Sequence, residues 1–145
     1  MRKLFAIIVC FSLCAVMATA QGGKDAPKVE GTWTATSAIS DGKKIPDDVI
    51  AKVMMVVTVK EGKYNVTVNG MKQEAGTYSI DAKKKPAQID LTCTEGRDKG
   101  ITQLGLLKIE GDVMTLATAK TGSKDRPKDF EGTEGFEVTV LKRGK

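Results

Sequence analysis

Few side chains in this sequence are equipped for chemistry, and their types narrow what that chemistry is. The chain has no histidine, which removes Ser–His–Asp and Cys–His nucleophile systems and imidazole metal sites. No carboxylate pair, glycine-rich phosphate loop or metal-ligand cluster stands out. Asp47 and Asp48 are adjacent, and their place at the start of a short helical segment explains them. Arg126-Pro127 lies in a long polar loop, where a proline-restrained arginine can hold a carboxylate or phosphate bidentately. The preferred reading is plainer: Arg126 pairs with Asp125, Asp129 or Glu131 and holds the loop down. The triplet Lys83-Lys84-Lys85 and the pair Lys43-Lys44 read as solvated turns. They lack the interleaved aromatics that single-stranded nucleic acid stacks on, so no nucleic acid partner is expected. The sequence thus assigns no catalytic residue, no metal and no cofactor.

The elements that must position these residues follow from apolar periodicity. Tyr64, Val66 and Val68 alternate with Asn65 and Thr67, a half-buried strand pattern. Asn69-Gly70 follows, the strongest short hairpin signal, because a type I′ turn needs positive φ at both central residues. Gly111-Asp112 joins two further apolar runs in the same way. Eight strands are predicted, at 29–39, 53–60, 63–68, 71–80, 87–94, 102–110, 113–119 and 135–142. Pro46 to Lys52 reads instead as one or two helical turns, with proline and acids at its start. Strand 53–59 is apolar on both faces. Its outer face needs cover from Val49 and Ile50, or from a second copy of the chain through Met54 and Val56.

The first twenty residues read as a secretory signal peptide: Met1-Arg2-Lys3, an apolar run from Leu4 to Met17, then Ala18-Thr19-Ala20. The run is too short to span a membrane, which needs roughly 18–20 residues. Neither Cys10 nor Cys14 follows the small residue that lipoprotein processing needs. Cleavage after Ala20 leaves 125 of the 145 residues and lowers the basic count from 23 to 21 against 18 acidic, so the charge falls from +5 to +3. Cys93 is then the one thiol. It cannot form an internal disulfide and reads as inward packing, so stability rests on an apolar core. Residues 21–28 read as a polar leader and 29–143 as the folded domain, periplasmic or extracellular and without a membrane span. Asn65-Val66-Thr67 fits a glycosylation sequon, which a bacterial export route leaves without meaning.

Eight antiparallel strands joined mostly by tight turns predict an all-β, up-and-down barrel with one short helix after the first strand, because closure removes unpaired edges. Val57, Val59, Val66, Val68, Ile80, Leu91, Leu106, Val138 and Val140 are the expected inward residues. A barrel of this size either fills with side chains or holds one small ligand.

Gly31-Thr32-Trp33 opening the first strand resembles the Gly-x-Trp signature of lipocalins. A longer ordered set resembles the small exported lipocalin-like domains of unknown function found as paralogues in planctomycete bacteria. That set is Asp41-Gly42-Lys43-Lys44, Lys63-Tyr64, Ile89-Asp90-Leu91-Thr92, Lys99-Gly100, Gly111-Asp112, Arg126-Pro127 with Phe130, and Leu141-Lys142-Arg143. The likeness covers roughly 29–143 and departs at Gly105-Leu106-Leu107, where an aromatic is expected. It implies that Trp33 closes one end of the barrel and that Arg143 stacks on it. It implies fold and export, and no activity. The expected function is non-enzymatic binding of a small, apolar ligand in the barrel mouth, with Tyr78, Leu106 and Arg126 as candidate contacts. The rival is a cell-envelope interaction or structural module with a filled barrel.

Overall fold

The computed structural model describes residues 27–144. The signal segment 1–20 and all of the leader but its last two residues lie outside the described residues, as do Cys10 and Cys14. The elements run β1 (Gly31–Ser40), β2 (Lys43–Ile45), α1 (Asp47–Val53), β3 (Met55–Lys60), β4 (Lys63–Val68), β5 (Met71–Asp81), β6 (Ala87–Gly96), β7 (Thr102–Glu110), β8 (Val113–Ala119) and β9 (Phe136–Arg143). Strands β1 and β3 to β9 pair in sequence order, all antiparallel, and β9 pairs back onto β1. This is a closed eight-stranded up-and-down barrel. The three-residue β2 was not predicted. It forms a hairpin on the second half of β1, pairing Ala38 with Ile45.

Local chemistry explains the meander. At the β4–β5 turn Asn69 and Gly70 both take positive φ, 51° and 77°, as the type I′ turn requires. One end of the barrel, here the floor, gathers the start of β1 and the turns at 61–62, 82–86 and 111–112. The opposite end gathers the β2–α1 segment, the 69–70 turn, the 97–101 connection and the 120–135 loop. A bulge between Ala35 and Ser37 inserts one residue in β1, which keeps Trp33, Ala35 and Ala38 in one inward phase.

Helix α1 extends one residue further than its sequence suggests. It ends where Met54 turns left-handed, at φ 45°, with its N–H donating to the Ile50 carbonyl at 3.3 Å. Strand β3 therefore begins at Met55, and Met54 projects outward, 61% exposed. Asp47 and Asp48 occupy the first turn of α1 and Lys52 the last, each favourable to the helix dipole. The Asn69 N–H donates to the Val53 carbonyl at 3.2 Å and ties the helix end to the neighbouring hairpin. Ile50 turns onto the inner apolar cluster while Val49 stays exposed. The pair therefore does not cover β3 as the sequence suggests, and Val56 faces outward, half-buried.

Among the described residues there are two apolar clusters, one inside the barrel and one outside. Trp33, Val59, Tyr64, Ile89, Leu107, Met114 and Leu141 are buried in the inner one, with Val57, Val66, Ile80 and Leu91 packed against them. The outer cluster is Leu106, Ala117 and Val138, with Ile39 and Phe130. The registers set Leu106 opposite Ala117, Ala117 opposite Val138, and Val138 opposite Ile39. That makes one row across four strands, roofed by the 120–135 loop through Phe130. This corrects three inward assignments: Leu106, Val138 and Val140 face out. Strand β7 is apolar on both faces from Leu104 to Leu107, and alternation alone cannot choose between them. Burying each such side chain contributes about 1.5–3 kcal/mol, which is why the loop lies down.

Two clamps hold that loop. At its ends, the Asp41 carboxylate accepts from the Lys120 ammonium at 2.6 Å and from the Gly135 N–H at 2.9 Å. Those bonds hold the Asp41 carboxyl below the usual carboxylate range, the Lys120 bond first. At its middle stands Arg126. No helix among the described residues is long and apolar enough to cross a membrane.

Candidate functional site

The barrel interior is not filled. A cavity of about 310 Å³ lies along its axis, within the size range of small-molecule sites. Its walls are aliphatic: Val57, Val66, Leu91, Leu107 and Leu116 face it from five strands, with Val29, Val59 and Met114 toward the floor. Asp98, Ile101 and Thr121 come from the connections at the far end, and Ile101 is 36% exposed there. The cavity opens between those connections. Among the described residues Val49, Met54 and Met71 are the other large apolar residues left exposed, and each belongs to a segment at this same open end.

The floor is built around Trp33, which is fully buried. Its indole N–H donates to the Val29 carbonyl at 2.8 Å. The Arg143 guanidinium stacks 4.2 Å from the ring centroid, donates to the carbonyls of Glu30 at 2.6 Å and Lys28 at 2.9 Å, and approaches Asp112 at 3.5 Å. One cation thus covers the indole and fastens the entering chain. A cation over a partly desolvated indole contributes about 1–2 kcal/mol.

Polar groups interrupt the aliphatic wall toward the mouth. Tyr64 packs over Gly76, where a Cβ would meet its ring at 2.7 Å and the Thr92 carbonyl at 2.1 Å. Only glycine leaves that space. The Tyr64 hydroxyl donates to Glu74 at 2.6 Å. Burial first, then the Glu74 carboxylate, pushes the phenol far up, so it stays protonated. Cys93 borders the same cavity, is 4% exposed, and its thiol donates to the Glu95 carbonyl at 3.2 Å. Burial, then Glu74, pushes this thiol up as well, which makes it a poor nucleophile. Gln103, Thr118, Thr139 and Glu137 complete the polar border, and the Gln103 amide is committed to the Ala119 carbonyl at 2.6 Å.

The three predicted ligand contacts separate. Tyr78 lines the cavity, its phenol pushed up by burial and then by Glu30. Leu106 does not line it, being buried under the 120–135 loop on the outer face. Arg126 is outside too. Its guanidinium donates to the carbonyls of Ile89 at 3.1 Å and Gly105 at 2.8 Å and to the Asp90 carboxylate at 2.6 Å. It holds the loop, as the plainer reading has it, but its partner is Asp90 on β6 rather than a neighbouring acid.

Sequence reasoning missed Glu74, Asp98, Gln103 and Glu137. A signal existed for two of them. Glu74 is in phase with Gly76, Tyr78 and Ile80 along β5, and Glu137 with Thr139 and Leu141 along β9. Choosing Val138 and Val140 as the inward phase hid the second. Asp98 lies in a connection that carries no periodicity.

No protein-family model matches the chain, and no curated protein matches its sequence.

Proposed function

We propose that the protein is a non-enzymatic binder of a small, largely apolar ligand, held in the barrel cavity and entering past Ile101. One observation carries the reading: a closed barrel that leaves about 310 Å³ empty along its axis, walled by valine and leucine. A barrel selected only as a scaffold gains dispersion energy by filling such a space, so an unfilled interior with polar groups at one end favours a binding role. Fold analogy alone would be a weak warrant. Export after signal cleavage, and membership of the planctomycete lipocalin-like group, belong to the same reading and rest on the N-terminal and internal sequence patterns. A second reading is self-association through the open rim. It is favoured by Met54, 61% exposed, beside the outward Val56.

Native mass spectrometry of protein purified from its own host tests both. A recurrent bound small molecule is expected, and Val66→Phe, which fills the cavity, is expected to lose it while remaining folded. Clean apo protein, with no thermal shift across a panel of lipids and metabolites, would refute the binding role. A dimer that Met54→Ser abolishes would support the second reading.

A further inference from the structure

The charges that border the cavity all have one sign. Glu74, Asp98 and Glu137 line it and no lysine or arginine does, although the chain carries 23 basic against 18 acidic side chains. Several acids elsewhere are matched: Asp41 with Lys120, Asp90 with Arg126, Glu95 with Lys72, Asp112 with Arg143. Among the described residues none of the three cavity carboxylates has such a partner. Each instead accepts one hydroxyl, from Tyr64 at 2.6 Å, Thr121 at 3.2 Å and Ser40 at 3.3 Å respectively. Lys120, whose charge interacts with Glu137 across the rim, is committed to Asp41.

A carboxylate with one hydroxyl bond keeps further lone pairs and an unbalanced charge. Glu74 and Asp98 are also partly removed from water, which makes that imbalance costly and a cation correspondingly welcome. Both act on the same two neighbours, since Tyr64 and Cys93 are each pushed up by Glu74 and by Asp98 after burial. The two acids therefore address one region of the cavity mouth. Among the described residues no three acids, cysteines or histidines are grouped to hold a metal ion, and an aliphatic wall beside the carboxylates suits a cation that carries an apolar body.

We infer that the ligand is an amphipathic amine, its alkyl or aryl body against Val57, Val66, Leu91 and Leu116 and its ammonium group facing Glu74 and Asp98. This rests on the cavity-binding reading above and adds the chemical class. Glu74 acts as the principal anchor, because Tyr64 fixes its carboxylate in place.

The test compares three probes of equal length on the purified protein by calorimetric titration near neutral pH: n-octylamine, n-octanol and n-octanoate. Octylamine is expected to bind at least about tenfold more tightly than octanol, and octanoate most weakly. Glu74→Gln and Asp98→Asn, each nearly isosteric, are expected to lower octylamine affinity about five- to tenfold and to leave octanol unchanged. Asp98 lies in a surface connection, so its variant reports even if Glu74→Gln folds poorly. Equal binding of octylamine and octanol, or preference for octanoate, overturns the amine assignment while leaving a binding cavity intact. Failure of all three probes to bind overturns the cavity reading along with it.

Discussion

Removing the Arg126 fork tests whether the 120–135 loop is held by backbone carbonyls or by an ion pair. Arg126→Met keeps the aliphatic stem and deletes three donors. Two of them serve the Ile89 and Gly105 carbonyls, and the guanidinium is 23% exposed. A hydrogen bond with a charged partner is worth about 1.5–3 kcal/mol when deleted. Discounting for partial exposure, the two together cost about 3 kcal/mol. The Asp90 carboxylate is 41% exposed, and an ion pair that open to water contributes less than about 1 kcal/mol. Asp90→Asn is therefore expected to be mild and Arg126→Met severe, with Arg126→Lys between them, since an ammonium is a point charge without a fork. Urea unfolding followed by Trp33 fluorescence measures all three. With a slope of about 1.5 kcal/mol/M the Arg126→Met midpoint falls by about 2 M at unchanged slope. Octylamine affinity stays as in the parent, because Arg126 is outside the cavity. The reasoning is refuted if Asp90→Asn costs as much as Arg126→Met, or if Arg126→Met changes ligand affinity while stability is preserved.

Gly76→Ala is expected to destabilise by about 1–3 kcal/mol or more, because its Cβ meets the Thr92 carbonyl at 2.1 Å; a chemical-denaturation midpoint equal to that of the parent would contradict this. The alkaline limb of the stability curve reports Tyr64. Its folded-state phenol ionises well above the unfolded value of 10.0, so the folded state holds a proton that the unfolded chain releases. That stability is fully present below pH 10 and falls as pH rises beyond it. Tyr64→Phe is expected to flatten the limb between about pH 9 and about pH 11, leaving the shares of Tyr78, Cys93 and Lys120, which are shifted in the same direction. Cys93 is expected to react slowly with a thiol reagent in the folded protein and fast in urea, since burial and Glu74 raise its pKa. Bound octylamine is expected to slow the folded reaction further, measured as the gain of modified mass with time.

What could be read from the sequence, and what could not, divides along a physical line. Strand existence and turn chemistry were legible because both are local: Asn69-Gly70 encodes its own turn, and Tyr64-Asn65-Val66 its own half-buried face. Closure followed from strand count and the cost of open edges. Facing was legible only where one side of a strand is polar. Along β3, Val57 and Val59 point inward, their partners Tyr64 and Val66 on β4 do the same, and the alternation on β4 decides it. On β7 both faces are apolar for different reasons, one for the cavity and one for the loop that covers it, while on β9 the polar phase, Glu137 and Thr139, is the one that lines the cavity. The deciding contact, Phe130 on the outer cluster of Leu106, Ala117 and Val138, comes from the loop and is not encoded in the strands' own periodicity.

The candidate site escaped the sequence for the same reason. Its polar members come from every strand from β4 to β9 and from two connections, and no spacing rule links Glu74 to Asp98 or Glu137. Each alone resembles any surface acid, and what distinguishes them is their shared place at the border of an apolar cavity that no lysine or arginine lines, a property of the assembled barrel. The arginines show the converse. Arg126 and Arg143 look like the residues best suited to seize an anion, yet every donor direction the structure defines for them ends on backbone carbonyls or on Asp90 and Asp112. Both arginines are spent on holding the barrel's coverings in place, one the outer loop and one the floor. These two positive charges are thereby kept out of the interior, and the charged groups that line the cavity are all acidic.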